Sequence, residues 1–230
     1  MANRSVLVTG GTGGLGTSVT ASFVDAGWRV VVPVREGSRS APPPADGVVR
    51  VTADLTDPDA VEWAVATAAG VAEAPLRAVV NLVGGYAAGS LVHETPVAEF
   101  DRMLAINLRP TYLVTRSALP YLVATGDAAV VCVSARAAAA PFPGAAGYVT
   151  AKAAVQAFAA AVAVEYRRSG VRCNTVAPSV IDTPANRAAQ PDADHSRWVT
   201  PGEIAEVIRF LASPESAPTS GATIPVYGQA

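Results

Sequence analysis

The stretch GYVTAK, residues 147–152, places a phenol and an amine where they can work on one proton. Tyr148 and Lys152 stand at i and i+4, so on a helix both side chains project from one face. A phenol titrates near pH ~10 and is a poor acid or base at neutrality. Drawing it down to neutrality takes about 4 kcal/mol of selective stabilisation of the phenolate. An ammonium about 4 Å away, at an effective dielectric of about 20, supplies roughly that much. Lys152 is also the only lysine in a chain with 17 Lys and Arg together. A compact ammonium with three donors can serve the phenol and neighbouring hydroxyls at once, which the planar guanidinium fork cannot. The pair is a candidate proton donor and acceptor, with Lys152 tuning Tyr148.

A second chemical feature lies near the start, in VLVTGGTGGLG. The run joins an apolar strand to an amphipathic stretch, the setting in which a glycine-rich turn cradles a pyrophosphate at a helix amino end. Gly11, Gly13 and Gly16 fit GxGxxG. Thr9 and Gly10 fit TGxxxGxG with Gly14 and Gly16, or TGxxGxxG with Gly13 and Gly16, and the spacing does not choose among the three. A dinucleotide is the expected occupant. A NAD site usually carries an acid at the end of the second strand for the ribose 2′-hydroxyl. Here that strand ends Val32-Pro33-Val34-Arg35. A guanidinium suits a 2′-phosphate, so NADP(H) is favoured over NAD(H). Asp54, after the third strand, is placed for the adenine edge.

The elements that must position these groups read as a regular alternation. Short β-branched runs fall at 5–9, 29–34, 48–52, 78–83, 129–134, 171–177 and 223–227. They are continuously apolar, which suits strands covered on both faces of a parallel sheet. Helical stretches are expected near 14–26, 57–70, 97–124, 149–169 and 201–212. Asp57-Pro58 and Thr200-Pro201 with Glu203 supply amino-terminal caps. The expected fold is a single α/β domain over residues 1–230, a doubly wound, Rossmann-type parallel sheet of about seven strands with helices on both faces. Glu36–Gly47 reads as a surface loop and Thr183–Val199 as a loop that includes a substrate lid at 184–199. The helix Ala151–Tyr166 is apolar nearly all round and is expected to be buried on both sides.

Composition narrows the rest. The net charge of −2 gives no basic face for nucleic acid. No stretch reads as a membrane span, and the start MANRSVLVTGG shows no secretory pattern, so a cytoplasmic address is expected. Cys132 and Cys173 form no CxxC pair, and His93 and His195 lack partners at ligand spacing, so no metal is expected. There is no GxSxG, and no lysine follows the last glycine of the turn as a P-loop requires.

TGGTGGLG, Asp54, VNLVG at 80–84, Asn107 in AINL, Ser134 in VVCVS, YVTAK and NTVAPSVIDT at 174–183 occur together, in order. In this the whole chain resembles the single-domain branch of the short-chain dehydrogenase/reductase family. The resemblance implies hydride transfer between a nicotinamide and a carbonyl or secondary alcohol. Tyr148 would be the general acid or base, Lys152 its tuner and a ribose ligand. Ser134 would bond and polarise the substrate oxygen. Asn107 would kink its helix and hold a water relaying protons to Lys152. Cofactor contacts would come from Gly10, Thr12, Gly13, Gly14, Leu15, Gly16, Arg35, Asp54, Leu55, Asn81, Gly84, Tyr148, Lys152, Pro178, Ile181 and Thr183. Tyr86, Asn186, Arg187, Trp198 and the 136–147 loop are candidates for the substrate cleft. A homodimer or homotetramer is expected. Ser179 stands where the family has glycine, which would be strained if that position had positive φ. A non-catalytic dinucleotide sensor would have no need of Ser134, Tyr148 and Lys152 together. A sugar-nucleotide epimerase or dehydratase resembles longer chains.

Overall fold

The computed structural model describes residues 2–37 and 46–229. Residues 38–45 of the expected surface loop lie outside the described residues. Seven strands, β1 (Ser5–Thr9), β2 (Arg29–Val34), β3 (Val48–Thr52), β4 (Leu76–Asn81), β5 (Ala128–Val133), β6 (Val171–Pro178) and β7 (Thr223–Val226), form one sheet ordered β3-β2-β1-β4-β5-β6-β7. Every pairing is parallel. The chain winds outward from β1 to β3, then returns to lay β4 against the other side of β1. That reversal opens a crevice at the carboxyl ends of β1 and β4, where doubly wound sheets bind ligands.

Both faces of the sheet are covered, which is why its strands read as unbroken apolar runs. On one face Leu7, Val31, Val79 and Val130 pack under α2 (Pro58–Ala69), α4 (Arg109–Thr125) and α5 (Ala146–Glu165). On the other, Val6, Val8, Val30 and Val80 meet Val19 and Phe23 of α1 (Gly16–Asp25) and Ile204 and Ile208 of α7 (Pro201–Ala212). Alternation within a strand sends neighbours to opposite cores.

Local chemistry sets the helix ends. Asp57 accepts from Asp59 N–H at the start of α2. Thr200 and Glu203 form a reciprocal capping box on α7. The expected helix 97–124 is two helices, α3 (Val97–Asn107) and α4, because Pro110 cannot donate a backbone hydrogen bond and the chain turns at Leu108. The expected loop Thr183–Val199 contains α6 (Pro184–Ala189), capped by Thr183 with Pro184 in its first turn, and a 3-10 turn at His195–Arg197.

The expectation of no membrane-length segment needs correction for α5. An 18-residue window within its 20 residues has a mean hydropathy of 1.3, enough by length and composition to cross a bilayer. Its Val155, Ala159 and Val162 face nevertheless lies in the sheet core. The other face is exposed within this single chain, at Ala157, Ala160, Ala161 and Val164, the side expected to meet a symmetry mate.

Candidate active site

The carboxyl ends of β1, β4, β5 and β6 and the first turns of α5 converge on the crevice. Tyr148 lies half-buried in the first turn of α5, and Lys152 follows one turn later, only 6% exposed. Lys152 Nζ sits 6.0 Å from the centre of the Tyr148 ring and donates to the Val133 carbonyl at 3.2 Å. Burial holds the ammonium down to a pKa of about 8, partly offset by the Cys132 thiol. Burial, with the Tyr86 phenol nearby, holds the Tyr148 phenol up at about 12. This reverses the direction argued from spacing: here the phenol is kept protonated, because desolvation outweighs what a lysine at this distance gives.

Asn107 ends α3 with its side chain fully enclosed. Its Oδ1 accepts from Gly85 N–H at 3.1 Å, and its Nδ2 donates to the carbonyls of Gly85 and Met103, both at 3.0 Å. The expected kink is present, and the amide staples the loop after β4 onto it. A Cβ at Gly84 would fall 2.6 Å from Asn107 Oδ1 and 3.1 Å from Lys152 Nζ. Amide and ammonium therefore meet at one point beneath a backbone that only glycine lets pass so close. Asn81 donates to Thr115 Oγ1 at 3.0 Å and to Cys132 Sγ at 3.8 Å, locking the ends of β4 and β5 to α4. Its buried Oδ1 finds no partner among the described residues.

Ser134 faces away from its expected task. Its hydroxyl donates to the Lys152 carbonyl at 2.8 Å and accepts from Gln156 Nε2 at 3.1 Å, and the residue is 3% exposed. The hydroxyl proton meant for a substrate oxygen is spent on helix α5. The cause is strand alternation: Ser134 continues the side of Cys132, which belongs to the core under α4 and α5. The next residue, Ala135, is extended and has no hydroxyl. Gln156 was missed from sequence, although it is the polar interruption in an apolar helix at i+4 from Lys152 and so on the same face.

The remaining predicted residues line a cradle. Gly10 turns the chain at φ 67° after β1. Thr9 Oγ1 accepts from Leu82 N–H at 3.0 Å, tying this turn to the β4 loop. Thr12, Gly13, Gly14 and Leu15 lead into α1, whose amino end has no side-chain cap and no acid in its first turn. The helix dipole and free N–H groups are thus left for an anion. Arg35 is exposed at the end of β2 with no ion-pair partner among the described residues. Asp54 is exposed after β3, its carboxylate held by Thr56 N–H at 2.9 Å and Thr56 Oγ1 at 2.8 Å, which with Arg35 keeps it below the usual carboxylate range. Leu55 beside it is buried. The donor set, uncapped helix end and flanking cation and acid fit a dinucleotide.

Opposite the glycine turn lies the loop after β6. A Cβ at Gly14 would come 2.9 Å from Thr183 Cγ2, so the two loops nearly touch across the crevice. Pro178 ends β6 paired with Val226. No described residue other than glycine has positive φ, so Ser179 carries no such strain; its hydroxyl donates to the Tyr227 carbonyl at 2.7 Å. Ile181 pairs with Val199 in an isolated bridge and accepts from Asn186 Nδ2 at 2.8 Å. Arg187 makes a two-pronged ion pair with Asp182 at 2.5 and 2.8 Å. Trp198 is 9% exposed and packs on His195. Asn186, Arg187 and Trp198 are thus engaged in contacts within the 181–198 segment itself. Tyr86, 63% exposed, stands with its ring 5.0 Å from that of Tyr148, edge to face.

A family model described as short chain dehydrogenase matches residues 4–194. Among curated proteins, the chain is 31% identical to 2-(R)-hydroxypropyl-CoM dehydrogenase of Xanthobacter autotrophicus, over 98% of both chains. It is 32% identical to the 3-oxoacyl-(acyl-carrier-protein) reductase MabA of Mycobacterium tuberculosis, over 98% of this chain and 92% of that protein. A solved short chain dehydrogenase/reductase family protein superposes with a TM-score of 0.88 at 32% identity, covering 99% of this chain and 97% of that one.

Proposed function

The chain belongs to the short-chain dehydrogenase family, an NAD(P)-dependent oxidoreductase, and from that premise we propose that it uses NADP(H) to reduce a small carbonyl compound, with Tyr148 as proton donor. The observation that carries the reading is the enclosed Tyr148–Lys152 pair at the mouth of the dinucleotide cradle. Bound NADPH would supply the hydride. Gly13 to Gly16 and the amino end of α1 would hold its pyrophosphate, Arg35 its 2′-phosphate, Asp54 and Leu55 its adenine end, and Asn81, Gly84, Pro178, Ile181 and Thr183 its nicotinamide half.

In the reducing direction the protonated phenol, its pKa held at about 12 by burial, is the form that gives a proton to a carbonyl oxygen as hydride arrives. Lys152 would steady the phenolate left behind and bond the nicotinamide ribose. Asn107 would present the backbone and water through which Lys152 is resupplied. A non-catalytic sensor would have no use for a buried ammonium that costs the fold stability. A cavity of about 270 Å³ opens beside the crevice between Ala87, Phe100, Met103 and Gly147, with Glu99 the one charged residue in its lining. That volume suits a compact, largely apolar substrate.

The test is a pair of titrations with purified protein. NADPH should bind at least tenfold more tightly than NADH, and Tyr148→Phe should bind NADPH normally while losing turnover of an active ketone. Equal affinities would remove the NADP(H) assignment, and turnover by Tyr148→Phe would remove the acid.

A further inference from the structure

The hydroxyl that should help Tyr148 grip the substrate oxygen is turned inward at Ser134. Polarising a carbonyl with one donor leaves the growing negative charge on oxygen half-attended, and a second donor is worth a large factor in rate. Position 135 is alanine and offers none. The described residue that brings an uncommitted hydroxyl to Tyr148 is Tyr86. Its ring is 5.0 Å from the Tyr148 ring at 81°, it is 63% exposed on the crevice side of the β4 loop, and its phenol makes no hydrogen bond among the described residues. The loop that carries it is not free to wander. Asn107 clamps Gly85, the residue before it, through both main-chain groups, and Gly89 N–H bonds the Gly144 carbonyl at 2.9 Å.

We propose that Tyr86 is a second catalytic phenol, donating a hydrogen bond to the same substrate oxygen that Tyr148 protonates. The inference rests on the reductase reading above and adds to it the group that takes over from the inward-facing serine. Tyr86 keeps its own proton throughout. The proton that moves is that of Tyr148, to the oxygen, as hydride forms the new C–H bond and the carbonyl π pair becomes the O–H bond. The edge-to-face contact fixes the angle between the two phenols. It also lets the Tyr86 ring cover the reacting carbonyl from water, in a site whose strand-end serine cannot reach it.

The experiment compares wild type, Tyr86→Phe, Ser134→Ala and Tyr148→Phe as NADPH-bound full-length proteins reducing 9,10-phenanthrenequinone, with circular dichroism to confirm folding. Tyr86→Phe keeps the ring contact and removes only the O–H. Expected is a fall in kcat of about 100- to 1,000-fold, the range for loss of one such donor, with NADPH affinity unchanged. A kcat within about twofold of wild type, beside an inactive Tyr148→Phe, overturns the role of Tyr86 alone. So does a larger loss from Ser134→Ala than from Tyr86→Phe, or a Tyr86→Phe defect shared equally by NADPH binding. No turnover by wild type, or turnover surviving Tyr148→Phe, refutes the reductase reading and this proposal with it.

Discussion

Lys152→Met should make the protein without cofactor more stable while abolishing its activity. The side chain is 6% exposed, and its ammonium, normally near 10.5, is held at about 8 chiefly by burial. At about 1.4 kcal/mol per tenfold change in proton affinity, that difference corresponds to about 3 kcal/mol against the charged form in the fold. Methionine fills a similar volume without charge, so the gain is about 1–3 kcal/mol after allowing for the lost bond to Val133. In a chain of this size that is a rise in Tm of about 2–10 °C. The sign follows from the two proton affinities. Below pH ~8 lysine is charged in both states and the folded state carries the full cost; between the folded value and 10.5 the folded protein sheds the proton first. Wild-type stability therefore rises across that window, and the advantage of methionine shrinks to nothing by its upper end. Urea unfolding followed by circular dichroism at several pH values reads this directly. A methionine variant less stable than wild type at pH 7, or an advantage unchanged at pH 10.5, would refute the reasoning.

Other perturbations bear on separate parts of the site. Arg35→Ala should weaken NADPH binding by about 10- to 150-fold, the worth of charge-assisted bonds, and leave NADH nearly unaffected in fluorescence titration. Lys152→Arg keeps the charge, yet the wider guanidinium has to fit where Gly84 and Val133 already crowd the ammonium, so turnover should be lost and NADPH affinity reduced in calorimetry. Gly84→Ala should cut kcat by at least tenfold, because its methyl group would displace Asn107 Oδ1 from a distance of 2.6 Å. In reduction, kcat/KM should be flat through neutrality and fall above pH ~8 as Lys152 loses its proton, with no further break from Tyr148 below pH ~11.

Much of the fold was legible because its cues are local. Continuous apolar runs announced a two-sided sheet, and Asp57 and Thr200 marked the helix starts later seen. The break at Leu108 hid because Arg109-Pro110 reads equally as the first turn of a new helix or a kink in an old one. The Asn107 side chain binds the loop after β4 at that break, a contact between distant segments that no local cue shows. Within the site, the Tyr148–Lys152 spacing located the pair but could not give the sign of the pKa change. Desolvation depends on what closes over the side chains, and that comes from residues 80–90, far away in sequence. Ser134 shows the same limit. The sequence places a hydroxyl at a strand end on the same side as Cys132, but that this side is closed by α5 shows only in the contacts to Gln156 and the Lys152 carbonyl.

The pinch between Ile181 and Val199 has a practical consequence for engineering. Asp182 N–H bonds the Val199 carbonyl at 2.8 Å and Val199 N–H the Val180 carbonyl at 3.3 Å, so the segment between leaves and rejoins the body at one point. Its two ends are already closed, and doubling the length of such a loop costs only about 0.6 kcal/mol more in chain entropy. The segment is in effect a replaceable cassette. Segments of other lengths can be grafted between residues 184 and 198, which leaves the sheet, Thr183 beside the glycine turn, Tyr86 and Tyr148 as they are.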